Sequence, residues 1–120
     1  MAGQSSSLTN PDEVVRLSYL YDFYGPLLKE RNREIFEEYV LNDLSLGEIA
    51  GEYGITRQGV YDIVKRCSKK LEEYEEKLNL FGRFRQAKEH LGQMEELVKT
   101  SQGMEKDQIL DLTHKVYEIL

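Results

Sequence analysis

The sequence predicts an all-α fold: a small helix-turn-helix bundle with a long fourth helix and C-terminal helices. Three observations predict it. Apolar residues recur every three or four positions along nearly all of the 120 residues. No stretch alternates with the period of two that a half-buried strand requires. Only 2 prolines are present, and Pro11 and Pro26 both stand where a helix would begin or end.

The elements follow in order. Residues 1–9 are expected to be a flexible tail. Asn10-Pro11-Asp12-Glu13 is a helix start: Asn10 caps, Pro11 fits the first turn, and Glu13 reaches back to the cap. Val14, Leu17, Leu20, Tyr21 and Tyr24 follow at helical spacing until Gly25-Pro26 stops the helix. A second helix is expected over roughly Lys29 to Asn42, with Ile35, Phe36, Tyr39 and Val40 inward. Its start lacks a side-chain cap. Ser45 followed by Glu48 is a capping box that opens a short third helix, Leu46 to Tyr53. Gly54-Ile55 breaks it, and Thr56 caps a fourth helix with no stop until Gly82. Along that helix Val60, Val64, Cys67, Leu71, Tyr74, Leu78 and Phe81 form a heptad seam. Such a seam is a core or dimer seam, and one that folds back on the C-terminal helices has the same pattern. Phe84, Ala87, Leu91, Met94 and Val98 predict another helix, Thr100 to Gly103 a turn, and Ile109, Leu112, Thr113, Val116 and Leu120 a last amphipathic helix. The expected domains are a helix-turn-helix domain over 10–80 and a helical extension over 81–120 suited to dimerisation, so a homodimer is expected.

Composition bounds the function. With 40% apolar and 32% charged residues and no tryptophan, the chain reads as a water-soluble globule. No apolar run approaches membrane-spanning length, so no membrane insertion is expected. The opening MAGQSSSLTN has neither the basic region nor the apolar stretch of a secretory signal. A single cysteine, Cys67, excludes an intrachain disulfide and fits the reducing cytoplasm. The net charge of −6 argues against a strong nucleic-acid binder, but its distribution does not. Residues 1–44 carry four Lys/Arg against eight Asp/Glu, and residues 72–120 seven against eleven. Between them, residues 56–71 hold Arg57, Lys65, Arg66, Lys69 and Lys70 against Asp62 alone. One basic island lies in an acidic protein.

That island falls on the most specific motif. Two short helices crossing through a tight turn need a small residue at the crossing, and Ala50 supplies it. They need a residue tolerant of positive φ at the turn, and Gly54 supplies it. Ile49, Ile55, Val60 and Ile63 sit at inward offsets, and Thr56 stands where the second helix needs its cap. Removing the core positions leaves an outward face of Arg57, Gln58, Tyr61, Asp62, Lys65 and Arg66. In a docked helix-turn-helix the early residues of this helix meet base edges. Arg57 suits guanine, Gln58 adenine, and Tyr61 a thymine methyl or a phosphate. Thr56 stands at a helix start where a phosphate is also met. Lys65, Arg66, Lys69 and Lys70 would face the phosphate backbone and give salt-dependent affinity. Asp62 would accept from cytosine or repel phosphate. The candidate DNA-binding residues are therefore Thr56, Arg57, Gln58, Tyr61, Asp62, Lys65, Arg66 and Lys69, with duplex DNA as the partner.

Other chemistry finds little support. His90 and His114 are 24 residues apart with no cysteine or carboxylate at metal spacing, so no metal is expected. There is no glycine-rich phosphate loop and no Ser/His/Asp grouping, so neither a cofactor nor an enzyme is expected. Cys67 in the seam reads as a small buried apolar residue. Glu72, Glu73, Glu75 and Glu76 form a solvated acidic face.

The runs Asp43 to Ala50, Gly54 to Asp62, Lys65-Arg66 and Leu71 to Leu78 resemble the YlxM-type helix-turn-helix proteins of bacteria. More distantly they are similar to region 4 of sigma factors. The YlxM-like match covers roughly Leu17 to Leu80. The resemblance implies a sigma-like all-α region and a regulatory role in the signal recognition particle pathway. Lys29 replaces a helix-capping threonine, Asn32 a glutamine, and Gly59 the more usual alanine of the relatives. A second possibility is a protein-interaction module that binds the particle's GTPase or its RNA. The acidic ends suit a basic, RNA-binding partner.

Overall fold

A computed structural model describes residues 10–100 and 106–120. The expected flexible tail over 1–9 lies outside the described residues, as does the expected turn over Thr100 to Gly103 except for Thr100, which is the last residue of a helix. Six α-helices, and no strand, occur among the described residues. They are α1 Pro11–Tyr24, α2 Glu30–Val40, α3 Leu46–Tyr53, α4 Arg57–Leu78, α5 Leu80–Thr100 and α6 Lys106–Ile119, with a 3-10 turn at Gly25–Leu27. The chain divides into two compact units, 1–78 and 79–120.

In the first unit, α4 packs against α1, α2 and α3. Asn10 caps α1 as its sequence indicates, its side chain accepting from the Asp12 N–H at 2.9 Å. Leu17, Leu20, Tyr21 and Tyr24 are buried on the inner face of α1. Gly25 then carries the chain past the Tyr21 ring, where a Cβ would lie only 2.8 Å from a ring carbon. The start of α2 has no side-chain cap at Lys29, and Ile35, Phe36 and Val40 are buried. Tyr39 is half-buried, and desolvation pushes its phenol upward from the ordinary range.

The heptad seam is used within the chain over most of its length. Val60, Val64, Cys67 and Leu71 are buried against α1 to α3, Tyr74 is half-buried, and Leu78 is 44% exposed. Fully burying a valine or leucine contributes about 1.5–3 kcal/mol, so these residues hold α4 to its own bundle. The Tyr24 and Tyr74 rings meet at a tilt of 38° with centroids 5.9 Å apart. Arg16 clamps Glu72 through two bonds of 2.8 Å, tying α1 to α4.

The fourth helix ends earlier than the sequence indicates. Asn79 adopts φ 50°, and α5 begins at Leu80. Asparagine tolerates the left-handed region better than most side chains, so it breaks the helix without a glycine. Gly82 lies inside α5 instead, where its missing Cβ leaves room for the Asn79 side chain. In the second unit, α5 and α6 pair as a hairpin, with Phe81, Ala87 and Leu112 buried.

Candidate nucleic-acid interface

The turn between α3 and α4 is built from three local devices. The capping box closes α3: Glu48 N–H donates to Ser45 Oγ at 3.1 Å, and Ser45 N–H donates to Glu48 Oε1 at 2.9 Å. Hydrogen bonding from the Ser45 backbone, then from its hydroxyl, holds the Glu48 carboxyl below the usual carboxylate range. Gly54 ends α3 in the left-handed region at φ 68°, ψ 32°, and the Ile55 N–H donates back to the Ala50 carbonyl at 3.2 Å. Thr56 then restarts the chain, its Oγ1 accepting from the Gly59 N–H at 2.9 Å. A Cβ at Gly59 would sit 3.1 Å from that same oxygen, so the cap leaves tight space for alanine.

Ile49, Ala50 and Val60 are the buried seam of the two helices, while Ile55 and Ile63 are half-buried at its rim. Thr56, Arg57, Gln58, Asp62, Lys65, Arg66 and Lys69 are exposed. Tyr61 departs from the outward set: it is only 7% exposed. Because α4 packs against three helices at once, its inward face is wider than a two-helix seam, and Tyr61 falls within it. Its hydroxyl accepts from Lys65 Nζ at 3.5 Å, and that ammonium stands 5.7 Å from the ring centroid. Tyr61 thus supports Lys65.

At 100° per residue, the outward face divides into two basic columns with Asp62 between them. Lys65 and Lys69 share a cleft of about 530 Å³ with Ser68, Glu13 and Glu72, so acids stand beside these cations. Arg66 and Lys70 line the other side, a cleft of about 430 Å³ that also holds Lys29, Asn32, Cys67 and Tyr74. No carboxylate is among the described residues of that second cleft. Lys29 joins it from the start of α2, more than thirty residues away in sequence. No local pattern in the sequence marks Lys29 as a member. Beneath these cations, desolvation pushes the Cys67 thiol up to about 11, against the opposing pull of Arg66. No helix among the described residues is long and apolar enough to cross a membrane. No group of three or more His, Cys, Asp or Glu is placed to hold a metal ion among them.

A short helix joined at Gly54 to the capped start of a long one, whose outward face is exposed there, defines the class: a helix-turn-helix protein. A family model described as "Putative helix-turn-helix protein, YlxM / p13 like" matches residues 12–112, and the chain belongs to that family, UPF0122. The match extends well beyond Leu80, where the resemblance read from the motifs stopped. The chain is similar to a UPF0122 protein of Geobacillus sp. (strain WCH70), 42% identical over 108 residues, which are 90% of this chain and 97% of the relative. It is 49% identical over 87 residues to one from Halalkalibacterium halodurans, covering 72% of this chain and 80% of that protein. It is 43% identical over 95 residues to the UPF0122 protein YlxM of Bacillus subtilis (strain 168), covering 79% and 86%.

Proposed function

We propose that this protein is a cytoplasmic regulator that binds duplex DNA as a homodimer, through a sigma region 4-like helix-turn-helix. The observation that supports this reading is the exposed N-terminal end of α4 beyond the Gly54 turn. Arg57 and Gln58 lead there and would reach base edges, with Thr56 near a phosphate. Lys65, Arg66 and Lys69 would track the backbone and set the register without reading sequence. Tyr61 would act through Lys65 rather than on a base.

The test is capture of fragmented duplex DNA from the same genome on the purified protein, followed by affinity measurement on the enriched fragments. Arg57→Ala is expected to weaken binding about tenfold, the loss of one good base contact. Lys65→Ala is expected to weaken it at all sequences alike and to lower the salt slope by about one. Binding unchanged by both substitutions overturns the reading.

Asp62 favours a second reading. A carboxylate at the centre of the outward face opposes phosphate, and the net charge is −6. On this reading the fold is an interaction module for the signal recognition particle, meeting its GTPase or RNA. Co-migration with the particle, with no DNA enriched, supports it. Absence of co-migration together with unchanged GTP hydrolysis ends it.

A further inference from the structure

The α5–α6 hairpin has two unlike sides. One holds two clefts between the helices, lined by Leu97 and Leu112 with Gln93 and Asp111 in one, and by Gln86 and Lys115 in the other. The opposite side passes through the contact of the Thr113 hydroxyl with Met94 Sδ at 3.8 Å. Helical geometry places Leu91 and Val98 of α5 beside that contact, with Leu110 and Tyr117 of α6 across it. These four are 51%, 65%, 48% and 70% exposed. Phe84, one heptad before Leu91, is 45% exposed. Two helices alone bury little core, and this unit buries only Phe81, Ala87 and Leu112 among its described residues, none of them completely.

The charges on α5 are ordered along its length. Its first half carries Arg83, Arg85 and Lys88 against Glu89, and its second half Glu95 and Glu96 against Lys99. A parallel copy would set like against like. An antiparallel copy sets each half against its opposite. Lys88 and Glu95 flank the apolar stripe on the same edge and are nearly equidistant from Leu91. Lys88 is already drawn to that stripe, its ammonium 5.7 Å from the Phe84 ring centroid.

We propose that the chain self-associates through α5 as an antiparallel pair centred on Leu91, with Leu91 meeting its own copy and Lys88 meeting the partner's Glu95. This deepens the homodimer in the reading above and does not depend on DNA being bound.

The test is oligomeric state in the absence of nucleic acid, read by sedimentation. The wild-type chain should dimerise. Lys88→Glu and Glu95→Lys should each weaken association several-fold, and the two combined should restore it. Under mild oxidation Leu91→Cys should form a cross-linked dimer. Val98→Cys should not, because two copies of position 98 stand about 21 Å apart along the antiparallel axis. A monomer at all accessible concentrations overturns the proposal. So does a Val98→Cys cross-link as fast as that at Leu91, or a double charge reversal that fails to restore association. DNA affinity measured on the same variants separates this result from the DNA reading: a monomer that still binds duplex refutes the interface and the homodimer but leaves DNA binding standing.

Discussion

Gln58 donates its side-chain amide to Asp62 Oδ1 at 3.0 Å, one turn further along the exposed face of α4. The amide that would read adenine is thereby turned onto a neighbouring carboxylate. The bond also fixes a negative charge between the two basic columns. Asp62→Asn is expected to raise duplex affinity several-fold at low salt, with the gain shrinking as salt screens the charge. Fluorescence anisotropy across a salt series measures it. A loss of affinity confined to particular sequences would instead mean that Asp62 accepts from a cytosine amine.

Gly54 and Gly51 separate backbone conformation from space. A Cβ at either meets nothing within 4 Å, but Gly54 alone has a left-handed φ, 68°. Gly54→Ala is expected to cost about 1–2 kcal/mol, the penalty for a side chain in that region. Gly51→Ala, inside α3, is expected to stabilise by up to about 1 kcal/mol through helix propensity. Urea unfolding of both variants gives the comparison. Equal effects would mean that the turn tolerates other conformations.

Arg16 and Glu72 join α1 to α4 through a two-bond clamp, with both side chains 39% exposed. Bonding to Glu72 raises the Arg16 guanidinium above its ordinary range, with burial opposing. At that exposure the clamp is expected to contribute about 1 kcal/mol or less, and less still at high salt. A double-mutant cycle with Arg16→Gln and Glu72→Gln measures the coupling. A value well above that bound would show the pair to be shielded from solvent.

Cys67 predicts an alkaline loss of stability. Its folded thiol titrates at about 11 against an ordinary 9.0. Below pH 9 both folded and unfolded states keep the proton, and this contribution is fully present. Between about pH 9 and 11 the unfolded chain ionises first, so stability falls as pH rises. Urea midpoints at intervals through this window should drop more steeply for the wild type than for Cys67→Val. Parallel curves would assign the alkaline loss to other groups. At neutral pH the buried thiol should react with disulfide reagents only on unfolding.

The α3–α4 unit was legible because each of its devices is local. A cap, a box, a left-handed glycine and a small crossing residue act over three or four positions, and sequence spacing records that range. Asn79 was not legible, since nothing in its neighbourhood distinguishes an asparagine that breaks a helix from one that rides on its surface. Tyr61 was misplaced for a different reason. Its burial depends on how many helices surround α4, which is a property of the assembled bundle.

The sequence by itself determined the all-α class, the order of the helices, the turn at Gly54 and the basic island on α4. These follow from periodicity, capping chemistry and charge counts, which need no knowledge of distant residues. Only the tertiary structure decided that the heptad seam is consumed by α1 to α3, that Arg16 clamps Glu72, and that Lys29 enters the cleft of Arg66 and Lys70. The Arg16–Glu72 and Lys29–Arg66 pairings join residues more than thirty positions apart, and the seam draws its partners from three separate helices. Such pairings are selected by the packing of whole faces, where burial of apolar area decides which neighbours meet.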